Sequence, residues 1–419
     1  MVIARFDEQV GIGYRGALVC DQRFAGRDKN VFEGPHWFHA MSVSIHRKVS
    51  IVGVGMTRQG QHGDTSASAL GLRALKDAMS DAGIEDKSRI DGMLGAKQYD
   101  GSGIDAIAFC RQLGITPAYA GALDYPVAGF TVQYGAMLIA SGACNLVAVV
   151  YARNPSDSMQ AISGAQDYDL SHGFVNAAAV HGLAWTAHMA RYGTTTDALG
   201  HIAVKQREHG QLNPMSSWHD DLTLEAYRRD PLLIAPLREL DICKVTAGGA
   251  ALLLASQEVA ADCAKRRVDF LSMGREASHG IEYGEHMSFF TSPHIGPRLF
   301  EAGGVTRADV DALYVYDPTT VAVAAALENF GFCPPGGCED FIGDGSRIGL
   351  GGELPINTHG GHLSEGYLVG FTHHVELVRQ LRGECGPRQV KDAKVVLYAG
   401  GGGVRAQYYQ SASLFGIGA

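Results

Sequence analysis

The densest group of reactive side chains lies between Asn357 and Gly370, where NTHGGHLSEGYLVG sets His359, His362, Ser364, Glu365 and Tyr367 among glycines just ahead of a helix-like stretch. Glycines let the backbone come close to a ligand, and a helix N-terminus aims N–H groups at developing negative charge. Such a loop suits chemistry in which an oxygen becomes anionic. His359 and His362 are candidates to hold a substrate carbonyl or to position a phenol. A bound metal is not expected, because no carboxylate or third ligand recurs at a clear spacing around them. Asn357 is placed to tie the loop by side-chain hydrogen bonds to backbone. A second reactive stretch, VYDPTT, carries Tyr316 and Asp317. Asp317 can orient a catalytic group or cap the following helix, and Tyr316 taken alone suits a core aromatic as well as an acid or base.

These segments need a frame. From Lys48, VSIVGVG has the length and β-branched content of a buried strand, and Thr65 opens an amphipathic helix that runs to Ala82 and stops at Gly83. A helix over Phe130–Ala140 feeds a strand over Asn145–Ala152. Such alternation predicts an α/β fold with a mostly parallel sheet. Residues 153–240 are polar, His-rich and helical in period, an excursion from the sheet. The strand pattern returns after Asp241, followed by a helix over Glu258–Lys265, a strand over Val268–Met273, a helix over Gly296–Ala302, the strand VDALYVYD, a helix over Thr320–Phe330 and a last strand in KVVLYAGGGG. The stretch from Gly129 to the Tyr-Ala of VVYA matches the stretch from Gly366 to the Tyr-Ala of VLYA: glycine, helix, glycine stop, buried strand. A faint repeat half a chain apart is what two fused copies of one α/β half leave behind.

Composition narrows the partners. The 419 residues are 46% hydrophobic and 19% charged, which excludes extensive disorder, and a net charge of −9 offers no basic field for nucleic acid. The eight cysteines (20, 110, 144, 243, 263, 333, 338 and 385) form no CxxC pair and read as reduced, mostly buried thiols. No N-terminal signal pattern and no uninterrupted apolar span stand out, so a cytoplasmic protein is expected. Residues 1–45 read as an N-terminal arm, irregular over 1–40 and expected to be disordered.

The order of the motifs resembles a family. Asn-x-x-Gly-Gly-x-x-x-x-Gly-x-x-x-Gly is similar to the thiolase motif in which the residue after the third glycine is a catalytic histidine; here that residue is Tyr367. VYDPTT resembles the Val-His-Asp-Cys-Phe-Thr of sterol-carrier-type thiolases, with Tyr316 at the histidine, and YAGGGG resembles Cys-x-Gly-Gly-Gly, with Tyr398 at the cysteine. The nucleophilic cysteine of thiolases opens the helix that here begins near Gly129, where the chain reads Leu-Asp-Tyr-Pro-Val-Ala-Gly. Cys144 lies at the far end of that helix and Cys110 ahead of the loop. Without a thiolate there is no acyl-enzyme step, so ordinary thiolase activity is not expected.

Two tyrosines in place of two histidines resemble the thiolase-like retro-aldolases that shorten sterol side chains. The resemblance implies a thiolase fold: two similar βαβαβ halves, 46–266 and 267–419, in an αβαβα layering, with 153–240 as a helical cap. It implies a carbon–carbon lyase that cleaves a β-hydroxyacyl-CoA to a shorter acyl-CoA and a ketone or aldehyde, the acyl group being a sterol side chain, an aromatic or a branched fatty acyl. Tyr316 and Tyr367 take the base and acid roles, in either order. Asn357, His359 and His362 are the substrate-binding expectations. Gly400 stands at the oxyanion-hole glycine, and Pro126, at the nucleophile's place, has no N–H to offer as a second donor. Tyr398 suits a space-filling role. Coenzyme A enters as part of the substrate, with no covalently bound cofactor. A homodimer formed through the N-terminal half and a hetero-oligomer with a small zinc-ribbon/OB-fold subunit are the implied assemblies. Two other functions fit the lost cysteine: a non-catalytic acyl-CoA or sterol-binding (lipid-transfer) protein, and an acyltransferase that works without an acyl-enzyme.

Overall fold

The computed structural model describes residues 45–97, 103–123, 127–155, 177–277, 295–400 and 409–418. All belong to one compact unit, Ser44–Ala419. The N-terminal arm, except Ile45, lies outside the described residues, and Ile45 is already buried in the core.

Eleven strands form: β1 (Val49–Met56), β2 (Gly92–Ala96), β3 (Tyr119–Leu123), β4 (Leu146–Arg153), β5 (Leu232–Ile234), β6 (Leu237–Arg238), β7 (Gly248–Ser256), β8 (Val268–Ala277), β9 (Ala312–Val315), β10 (Val395–Gly400) and β11 (Tyr409–Ile417). Nine make one sheet in the order β3-β2-β4-β7-β1-β8-β11-β10-β9, and β5 and β6 pair as a small hairpin. The seven longer helices that frame the site are α1 (Ala67–Ala82), α2 (Ala128–Ala140), α3 (Ala177–Tyr192), α4 (Thr196–Gln211), α5 (Ile295–Gly303), α6 (Thr320–Asn329) and α7 (Phe371–Arg382).

Local sequence explains the elements. Ser66 caps α1 by accepting from the Ala69 N–H, and Gly83 ends it in the left-handed region. A side chain at Gly53 or Gly55 of β1 would meet the Ala78 or Ala74 carbonyl at 2.2 Å, so these glycines let α1 lie directly on the strand. The helix expected over Glu258–Lys265 shortens to Gln257–Ala261.

The expected mostly parallel sheet is corrected. Only β2 with β3 and β4, and β9 with β10, run parallel; the other pairings in the sheet are antiparallel. A strand covered on both faces is apolar throughout whichever way it runs, so its sequence hides its direction. β7 is such a strand.

The layering follows from alternation along each strand. Val147 and Val149 of β4, Tyr314 of β9 and Val396 of β10 pack on one central layer made by α2 and α7. On the opposite faces Ala148 and Leu253 pack with α1, while Leu313 and Leu397 pack with α6. The result is helix, strand, helix pair, strand, helix. The two half-sheets join through β1 and β8 at Ser50↔Asp269 and Ile51↔Val268, where Ser50 Oγ donates to Asp269 Oδ1 at 2.6 Å. In both halves the central helix leads into a strand closing on Tyr-Ala, and both tyrosines, Tyr151 and Tyr398, face that central layer. Of the expected cap, residues 156–176 lie outside the description, and the rest is largely helical (α3, α4 and a turn over Leu224–Arg229).

Candidate active site

Two reactive segments meet at the end of β9. Tyr316 directly follows the strand, and Tyr367 lies in the loop that leads into α7. Their hydroxyls are 2.6 Å apart in one hydrogen bond, and the side chains are 6% and 8% exposed. Tyr367 is fixed from behind by its main-chain N–H, which donates to Thr246 Oγ1 at 2.9 Å. The edge of the His362 ring packs against both phenols, 4.9 Å from each ring centre.

Asn357 has φ +47°, a left-handed conformation that asparagine tolerates. It does not brace its own loop. Its Oδ1 accepts from the Val315 N–H at 2.8 Å and its Nδ2 donates to the Val315 carbonyl at 3.0 Å, which clips the loop to the strand that carries Tyr316. From the other side α4 closes on the loop: Arg207 Nε donates to Ser364 Oγ, and Gly210 packs against Gly360.

His362 is part of a network. Its main-chain N–H donates to Asp317 Oδ1 at 3.0 Å, and its Nε2 accepts from the Gly370 N–H at 2.9 Å. That leaves the ring proton on Nδ1, 3.4 Å from Asp317 Oδ1, while His373 Nε2 lies 2.9 Å from the same oxygen. Burial holds His362 neutral, with its pKa well below the usual histidine range. Asp317 thus orients two buried histidines rather than capping α6, whose N-cap residue is Thr319.

No ligand spacing is visible in the sequence, yet Asp317, His362 and His373 bring ligand-type atoms within 4.8 Å of one another. The sequence separates them by 45 and 56 positions, so spacing could not show it. The donor set nevertheless reads as a hydrogen-bond network. To bind a cation through Nδ1, His362 would have to lose that proton while Nε2 still accepts from Gly370.

His359 is not brought to the phenols. Its ring packs on Tyr314 and His373, neither ring nitrogen has a hydrogen-bond partner among the described residues, and Glu365 Oε2 is 3.6 Å away. Burial lowers its pKa as well, and raises that of Glu365 to about 7. Gly400 ends β10 opposite Ser411, where a Cβ would meet Ser411 Oγ at 2.7 Å and the Tyr398 ring at 2.8 Å. Tyr398 is wedged between the starts of α2 and α7: side chains at Gly129 or Gly370 would meet it at 2.9 and 2.4 Å. Pro126 and residues 401–403 of the glycine run lie outside the described residues.

No described cysteine offers a thiolate. Cys110, Cys144 and Cys243 are buried, and burial raises each thiol's pKa. Burial likewise pushes the Tyr367 phenol well above its usual value. Three site neighbours carry no motif: Thr246, Cys243 and Arg153. Arg153 had one legible signal, a lone charge closing the otherwise apolar strand LVAVVYAR.

Comparison with known proteins identifies the family. Residues 278–413 match the model of the thiolase C-terminal domain-like family. The chain is 32% identical over 387 residues to the steroid side-chain-cleaving aldolase of Thermomonospora curvata, an alignment that covers 85% of this chain and 95% of that one. The chain belongs to the thiolase superfamily. Within it, this thiolase-like protein is also 31% identical to the 17-hydroxy-3-oxo-4-pregnene-20-carboxyl-CoA lyase of Mycobacterium tuberculosis, over 85% of this chain and 97% of that protein. Among solved structures it superposes on the Ltp2-ChsH2(DUF35) aldolase with a TM-score of 0.79 at 26% identity, covering 89% of this chain and 99% of that one. The two relatives at 31 and 32% identity, an aldolase and a CoA lyase, place it in the aldolase branch. No helix among the described residues is long and apolar enough to cross a membrane.

Proposed function

We propose that the chain is a carbon–carbon lyase that cleaves a β-hydroxyacyl-CoA by a retro-aldol reaction. The observation that carries this reading is the 2.6 Å hydrogen bond between the Tyr316 and Tyr367 hydroxyls in a buried site. The reaction must remove the β-hydroxyl proton, break the Cα–Cβ bond and return a proton to the α-carbon. Two bonded phenols do this as a relay: one accepts the hydroxyl proton while its own crosses to the second, whose proton goes to the α-carbon. The hydroxyl becomes the carbonyl of a ketone or aldehyde, the broken carbon–carbon pair becomes a C–H bond, and no covalent intermediate is needed. Because the pair stays neutral at rest, the relay is compatible with a Tyr367 phenol that burial holds protonated.

His362 keeps both rings in place, and Asn357 keeps the two segments in register. Gly400 offers its N–H to the thioester oxygen, and His359 acts at a distance, through the packing behind His362. A steroid side-chain thioester is the substrate class supported by the names of the relatives at 31 and 32% identity. Coenzyme A comes as part of that substrate. A small zinc-ribbon/OB-fold subunit is the proposed partner, a reading supported by the superposed aldolase being named as a complex with a DUF35 protein. A homodimer at the centre of the complex, working in the cytoplasm, completes the reading. In this reading 46–266 and 267–419 are its two halves.

The test is incubation of the full chain, with and without such a subunit, with a panel of β-hydroxyacyl-CoA thioesters, products being read by mass spectrometry. A shortened acyl-CoA with a matching carbonyl fragment is the expected result. Tight binding with no cleavage would replace the lyase with a binding protein, and transfer of an intact acyl group would replace it with an acyltransferase.

A further inference from the structure

Arg153 closes β4, a strand otherwise made of apolar residues, and is 5% exposed. Among the described residues its Nε has no hydrogen-bond partner and its guanidinium pairs with no carboxylate. A buried charge without a partner is costly, so it is expected only where something repays it. The direction of the side chain points to the tyrosines: Cζ lies 6.0 Å from the centre of the Tyr367 ring.

Apart from the Asp317 carboxylate, the other groups around that ring add no charge of their own. Burial keeps Cys243 and Tyr398 protonated and His362 neutral. Tyr151 also faces Tyr367, and Tyr316 holds its hydroxyl. The Asp317 carboxylate is engaged by His362 and His373.

We propose that Arg153 is a positioning residue for the relay: its fixed positive charge draws negative charge onto Tyr367, which makes Tyr367 the phenol that takes the β-hydroxyl proton and Tyr316 the one that protonates the α-carbon. This inference rests on the retro-aldol reading and gives it a direction. As the β-hydroxyl proton moves to Tyr367 and the Cα–Cβ bond breaks, the Tyr367 proton crosses to Tyr316 and the Tyr316 proton goes to the enolate α-carbon, and the negative charge that Tyr367 carries along this path faces the guanidinium. A preorganised cation of this kind acts on the transition state and not on substrate binding.

The test uses the active complex with Arg153→Met and Arg153→Lys. For Arg153→Met, kcat falls by about 10²–10³ with KM within about threefold of the parent. Arg153→Lys recovers at least about tenfold of the lost rate, because the charge is what matters. The thermal midpoint of Arg153→Met equals or exceeds that of the parent, since an unpaired buried charge has been removed. An unchanged kcat, or a lost rate accompanied by a midpoint several degrees lower and no rescue by lysine, would overturn the inference while the parent still cleaves. A parent that cleaves no thioester overturns the retro-aldol reading itself, and this inference with it.

Discussion

Asn357 holds Val315 by both of its main-chain groups, accepting from its N–H at 2.8 Å and donating to its carbonyl at 3.0 Å. One side chain thereby does for the glycine loop what a strand ladder would do, and it does so one residue from Tyr316. Asn357→Ala is expected to cost about 2–4 kcal/mol of stability, from two buried main-chain groups left unpaired and a positive φ that alanine resists. Urea denaturation measures it. Asn357→Gly, which keeps the conformation but not the bonds, should lose less.

The two phenols act as one unit, so their removals should not add. Tyr316→Phe and Tyr367→Phe are each expected to lower kcat by about 10²–10⁴ with the fold intact. The double variant should be little worse than either single one. A double variant whose loss equals the product of the two would show that the hydroxyls work independently.

Gly370 has φ +88°, and a Cβ there would lie 2.4 Å from the Tyr398 hydroxyl. Gly370→Ala is expected to destabilise by roughly 2 kcal/mol or more through strain and collision. Adding Tyr398→Phe removes the atom in the way and should restore part of the loss, a coupling that a double-mutant cycle in denaturant would measure. A Tyr398→Phe change alone should leave catalysis nearly intact.

Stability should fall steeply in mild acid. Burial lowers the pKa of His181 to about 3, of His209 to about 4 and of His374 to about 3. Between pH 6.5 and these values the unfolded chain takes up protons that the folded one refuses, so each histidine removes about 1.4 kcal/mol of stability per unit of pH lost. Glu365 acts in the opposite sense, because its raised pKa of about 7 makes the folded chain the better proton binder between pH 4.5 and 7. Three groups outweigh one, and the urea midpoint should drop from pH 6.5 to pH 4. In Glu365→Gln the drop should steepen, while the midpoint at pH 8 should rise relative to the parent. A midpoint that is flat across this range would show that the interior histidines are hydrated or paired in ways that spare them.

Much of the frame was legible in the sequence. α1, α2 and β4 fall within a residue or two of where glycine stops and apolar runs put them, and the Tyr316 and Tyr367 segments do meet. Strand direction was not legible, since a strand such as β7 is apolar on both faces. The three-residue set Asp317, His362 and His373 was equally hidden, because its members lie 45 and 56 positions apart and meet only through the tertiary fold. His359 shows the converse failure: its position in the loop suggested contact with substrate, yet its ring turns toward Tyr314 and His373. Arg153 lies about 160 positions before Tyr316 and more than 200 before Tyr367, and nothing local to it names a partner.

The seam between β1 and β8 is only two residue pairs wide, held by Ser50 and Asp269. Tyr316 and Tyr367 stand on one side of it, while Thr246 and Arg153 come from the other. The proton path is therefore a gauge of how the two halves dock. A slack joint would first show up as misaligned phenols in a molecule that still melts as one, so a carrier of a seam lesion would look healthy to calorimetry and silent to assay.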